Sequence, residues 1–128
     1  MRNLKCLAAA SLLIVPMAAS AQSMNAQSFY DRATALQKKG VMALFSGGEI
    51  KALTREAQAA GEKAGETRKA SVKAGQAPRF CPPEGPMSMD DKEFMSRLSA
   101  VPAADRSRID MTEAMTRILA SKYPCKAG

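Results

Sequence analysis

Residues 80–125 read FCPPEGPMSMDDKEFMSRLSAVPAADRSRIDMTEAMTRILASKYPC, and this stretch decides the fold. Phe94, Met95, Leu98 and Val101 recur at helical spacing behind Ser88, an N-cap type of residue, and Pro102 stops the repeat. The spacing predicts a helix over about Met89 to Ala100. A further helix is predicted from near Met111, where Asp110 and Glu113 stand at capping distance and Met111, Ala114, Met115, Ile118 and Leu119 form an apolar stripe. Pro124 ends it. Cys81 stands directly before Pro82 and Pro83, and Cys125 directly after Pro124, so a thiol flanks each open end of this helical pair.

Working toward the N-terminus, the chain stays helical in pattern. Phe29, Ala33 and Leu36 mark a helix over about Ala26 to Lys39; Lys38 and Lys39 suit its negative end, and Gly40 suits a left-handed cap. Val41 to Phe45 reads as a short apolar turn or helical fragment. Ser46 and Glu49 have capping-box spacing for a second helix, whose stripe of Ile50, Leu53, Ala57, Ala60 and Ala64 thins toward Ala and Gly. Between Gly61 and Gln76 only Val72 is a larger apolar residue, and Gly61, Gly65 and Gly75 each weaken a helix by up to about 1 kcal/mol relative to Ala. That tract is expected to be an exposed helical arm or partly disordered, ending at Ala77-Pro78. No β-branched alternation of strand length appears, so the expected fold is all-α: a small four-helix domain with a disulfide-closed C-terminal helical hairpin.

The pairing of the cysteines depends on compartment. Arg2 and Lys5 precede an apolar run from Leu7 to Met17, and Ala19-Ser20-Ala21 is a small-x-small cleavage pattern, which reads as a signal peptide over residues 1–21 cleaved after Ala21. The run is shorter than a membrane span, although a retained anchor is the alternative. Cys6 would leave with the signal. A single domain over residues 22–128 would remain, with no stretch able to span a membrane and with Cys81 and Cys125 as its cysteines in an oxidising periplasm. An intramolecular disulfide is then expected. The alternatives are a bridge between two chains and a reactive or metal-binding pair, although redox pairs usually sit as Cys-x-x-Cys and metal sites want further His or Cys.

Enzymatic chemistry has little to stand on. The chain has no His, which removes Ser-His and Cys-His nucleophiles, and leaves zinc with carboxylates alone. Asp90, Asp91 and Glu93 are the densest acidic group, and they resemble a helix's first turn more than a glycosidase pair. Gly47-Gly48 lacks the flanking residues of a phosphate-binding loop. Met87, Met89, Met95, Met111 and Met115 concentrate in the C-terminal part; thioethers suit Cu(I), but Met95, Met111 and Met115 fall on core stripes, where packing is the simpler reading. No catalytic residue, cofactor or metal site is expected.

Without residues 1–21 the chain holds 17 basic against 12 acidic side chains, a net charge of +5. Such a charge can attract nucleic acid, anionic lipid or an acidic protein, or simply solvate the surface. Export and the lack of stacking aromatics argue against nucleic acid.

Cys81-Pro-Pro-Glu-Gly85, the Phe94 to Leu98 amphipathic segment, Pro102 and Tyr123-Pro124-Cys125 together resemble the Rap/Tai-type immunity family over Phe80 to Cys125. These are small exported helical proteins that protect bacteria against cell-wall amidases delivered by type VI secretion. Relatives often carry further cysteines in the N-terminal half, where this chain has Phe29, Leu36, Leu44 and Phe45. The resemblance implies a periplasmic, non-enzymatic protein that binds a secreted effector such as an amidase, and also a homodimer. Pro82, Pro83, Glu84 and Gly85 are then the candidate partner-binding residues, together with the basic second helix. A different class of function is an envelope structural or stress-protection protein that acts through the basic Ala-rich tract from Gly61 to Gln76.

Overall fold

The computed structural model describes residues 23–126. The expected signal peptide, its cleavage site and Cys6 lie outside them. Among the described residues the fold is all-α, with five helices: α1 (Ala26–Lys38), α2 (Gly47–Lys73), α3 (Asp91–Ala100), α4 (Ala103–Arg106) and α5 (Met111–Lys122). A 3-10 segment, Gly40–Ser46, joins α1 to α2.

Three of the helix starts are capped by a side chain. The Asn25 carboxamide oxygen accepts from the backbone N–H groups of Gln27 and Ser28 at 3.0 and 3.1 Å, which satisfies two donors that the first turn of α1 leaves unpaired. Asp90 and Asp110 do the same for α3 and α5, each accepting from the N–H three residues on, at 2.8 Å. α3 therefore begins two residues later than the Ser88 reading predicts, because the Asp90 carboxylate is the side chain that reaches the free N–H. α1 stops as its sequence predicts, with Gly40 at φ +53°, a left-handed conformation open to glycine at little cost.

The expected capping of α2 is not met. Ser46 makes no capping bond; its hydroxyl lies 3.2 Å from the Lys39 ammonium, and Glu49 is engaged by Arg32 instead of turning back to Ser46. Of the two readings of the tract from Gly61 onward, the helical one holds: the helix runs unbroken to Lys73, about 40 Å in all, and most of the tract is exposed. Ala60 and Ala64 are both buried, and α2 packs chiefly on α5. The small side chains that thin the apolar stripe are what allow the two helix backbones to approach. From within α2, Arg68 donates to the Phe80 carbonyl at 2.9 Å and lies over the ring, holding Phe80 in the core.

α5 is the central helix. Met111, Ala114, Met115, Ile118 and Leu119 are all buried, and with Leu98, Phe80, Leu53 and Phe29 they form the core. Phe29 meets Phe94 edge to face, with ring centroids 5.7 Å apart. α4 is a short turn of helix after Pro102 that the sequence does not announce, and it delivers Arg106 into the interior. The Arg106 guanidinium donates to the carbonyls of Ser99 and Val101 and to the Gln27 side chain, and stacks 4.1 Å from the centroid of the Tyr30 ring. The end of α3, the α4 turn and α1 are thereby tied to one buried cation.

Candidate functional site

Cys81 and Cys125 are joined, with Sγ atoms 2.05 Å and Cα atoms 4.9 Å apart. Their chain segments are also hydrogen-bonded, the Cys81 N–H donating to the Tyr123 carbonyl at 2.8 Å. From this clasp the chain runs from Cys81 toward α3 as an irregular loop carrying the predicted partner-binding residues. Pro82 is half-buried, whereas Pro83, Glu84 and Gly85 are exposed. Gly85 has φ +113°, a conformation that an L side chain rarely adopts, so the turn depends on glycine here.

The far end of the loop is fixed as well. Lys122, in the last turn of α5, donates to the Ser88 carbonyl at 2.7 Å and to Glu93 of α3 at 2.7 Å. Residues 82–87 thus project between two anchors, the disulfide to Cys125 just past α5 and the hydrogen bond from Lys122 at the end of α5 to the Ser88 carbonyl. Three prolines within the loop, Pro82, Pro83 and Pro86, narrow its backbone freedom further.

Beside this loop lies an apolar groove of about 570 Å³. Leu36 at the end of α1 and Ile50 and Leu53 at the start of α2 form one wall; Met87, Met89, Phe94 and Met95 form the other. Met115 and Leu119 of α5 lie at its base. The volume is in the range of sites that enclose a drug-sized group or a few side chains. Three flexible thioethers along one wall make it adaptable in shape. The groove escapes a reading of the sequence because its walls come from segments more than 30 positions apart and each stripe, taken alone, looks like ordinary core.

Two acids, Asp90 and Asp91, line the groove at the start of α3, and Glu93 follows in the same turn. Asp90 caps α3. Glu93 is held by Lys122 first and Arg97 second, and these bonds keep its carboxyl below the ordinary carboxylate value. A lowered value is the reverse of what a general acid requires. Elsewhere, Arg79 and then Arg117 hold Glu113 down against the opposing effect of burial, and the paired bonds from Arg32 do the same to Glu49. Each shift traces to an ion pair at the surface.

Among the described residues, no group of three or more His, Cys, Asp or Glu side chains is placed to hold a metal ion. Of the methionines that could suit a soft metal, Met111 and Met115 are in the core, while Met87, Met89 and Met95 line the groove. No helix among the described residues is long and apolar enough to cross a membrane. Compared with known proteins, the chain matches no family model, no curated protein and no solved structure.

Proposed function

We propose that this protein is a non-enzymatic, periplasmic binding protein of the immunity type, which neutralises a secreted effector such as a cell-wall amidase. The observation that carries the reading is the loop at residues 82–87, anchored at one end by the disulfide to Cys125 and at the other by Lys122 of α5, and bordered by an adaptable apolar groove. A protrusion that is already rigid loses little conformational entropy when it enters a partner's cleft, so more of its contact energy appears as affinity. Pro83, Glu84 and Gly85 would enter the cleft, and the groove would receive apolar side chains from its rim. The resemblance over Phe80 to Cys125 supports the same reading, and with it export, cleavage after Ala21 and self-association.

The rival reading, an envelope structural or stress-protection protein acting through its basic Ala-rich helix, depends on a free arm at Gly61 to Gln76. Within that tract Ala64 is buried and Arg68 bonds the Phe80 carbonyl, so one face of it is used in packing, and the immunity reading is preferred.

The test is direct binding and inhibition against cell-wall amidase effectors encoded in the same genome. A stable complex that stops peptidoglycan hydrolysis is expected, weakened at least about tenfold by Glu84→Arg. If no such effector is bound or inhibited, the proposal fails.

A further inference from the structure

The 3-10 segment between α1 and α2 turns its greasy side outward. With three residues per turn, positions three apart lie above one another, so Gly40, Ala43 and Ser46 share one face, Val41 and Leu44 a second, and Met42 and Phe45 a third. The first face is the one turned toward the body, as Ala43 and Ser46 are partly buried. The other two are open: Val41 and Leu44 are 80% exposed, Met42 60% and Phe45 84%. Nothing polar stands on either outward face. Single apolar residues at a surface are ordinary, but four contiguous ones on a convex corner mark an interaction site.

The charge around the corner says what kind of surface it meets. Lys38 and Lys39 precede it and Lys51 follows in the first turn of α2, all of them exposed. The one acid within that turn, Glu49, is neutralised by the two bonds from Arg32 at 2.6 Å. The corner is therefore an apolar tip flanked on both sides by cations. We infer that it docks the protein on an anionic phospholipid bilayer, with Val41, Met42, Leu44 and Phe45 entering the headgroup and acyl boundary while Lys38, Lys39 and Lys51 meet lipid phosphates. Apolar burial and attraction to anionic lipid are the two contributions that hold interfacial segments on membranes. A convex tip without hydrogen-bonding side chains suits a fluid interface, which needs no matching pocket. Two such corners facing each other in a symmetric dimer would set lysines against lysines.

The experiment is co-sedimentation of the whole protein with vesicles of phosphatidylglycerol and phosphatidylcholine, compared with vesicles of phosphatidylcholine alone. Every variant shares the same N-terminal residues, so the ratio between variants reports the corner. L44S/F45S should lower partition onto the anionic vesicles at least about tenfold. K38E/K39E should lower it severalfold and flatten its dependence on salt. V72S, which removes an exposed apolar side chain on α2 outside the corner, should leave partition unchanged. Because Leu44 and Phe45 are almost fully exposed, their replacement should leave the far-ultraviolet spectrum unaltered. Equal partition of wild type and L44S/F45S overturns the inference. It is equally overturned if the protein forms a dimer in vesicle-free solution that L44S/F45S converts to monomer, since the corner would then belong to a second copy.

Discussion

Asn25 and Asp110, the N-caps of the first and last helices, stand opposite each other in an isolated antiparallel bridge. Ala26 donates to the Ile109 carbonyl at 3.0 Å, and Met111 donates to the Met24 carbonyl at 2.7 Å. Each cap residue thus sits beside a backbone bond that ties the two helix starts together, and Asn25 adds a bond of its own, from its amide nitrogen to the Ser107 carbonyl at 3.1 Å. The two caps are one joint, so damage to either should be felt at both helices.

Asn25→Ala removes the cap and the cross-link together and should cost about 1–2 kcal/mol in urea unfolding. Asn25→Asp keeps the capping oxygens and loses only the amide donor, so it should retain most of that stability. Equal losses in the two variants would show that capping contributes nothing here.

Replacing both cysteines by serine frees the chain between Cys81 and Cys125, 44 positions apart, and should lower stability by about 4 kcal/mol by the chain-entropy relation. Guanidinium unfolding of oxidised and reduced wild-type protein measures the same quantity without mutation. A shift below about 1 kcal/mol would mean that the unfolded chain is already held compact by other contacts.

Arg106 is buried, and its donors go to backbone carbonyls and the Gln27 amide oxygen. Lys would carry the same charge but cannot spread donors in a fixed fork or stack flat on Tyr30, so Arg106→Lys should destabilise by about 2–4 kcal/mol. Thermal unfolding of this variant beside an exposed control, Arg108→Lys, separates the buried role from a general effect of the exchange.

Ion pairs hold Glu93 and Glu113 below the ordinary carboxylate value of about 4.5 in the folded state. The unfolded chain binds their protons first, so their contribution is fully present above about pH 4.5 and is lost as pH falls through the folded values. Urea midpoints measured from pH 7 to pH 3 should therefore decline below about 4.5, and the decline should be shallower in E93Q and in E113Q. An unchanged slope in both variants would assign the acid loss to other carboxylates.

The helical class, the stop at Gly40, the start of α5 and the cysteine pairing were legible because each is written in neighbouring residues: a stripe, a cap, a proline, a flanking pair. What could not be read depends on distant residues. Glu49 has capping-box spacing from Ser46, yet Arg32 on another helix offers it two charged bonds and wins. Ala60 and Ala64 look like a weakening stripe until α5 is seen to fill the space beside them. Phe80 and Arg106 carry no periodic signal, and their places are set by Arg68 and by the turn after Pro102. The loop at Pro82 to Gly85 was identified as a segment, but its second anchor, Lys122 on Ser88, requires knowing how α5 passes.

The disulfide also governs how the chain would bear tension. A pull applied beyond Cys125 passes through the sulfur bridge to Cys81 and on into α2, so the loop and the last three helices carry none of it. About 150 Å of contour length stays hidden while the bridge is intact. Under load, the oxidised protein would yield only through α1 and α2, and a reductant would lengthen the tether in one step.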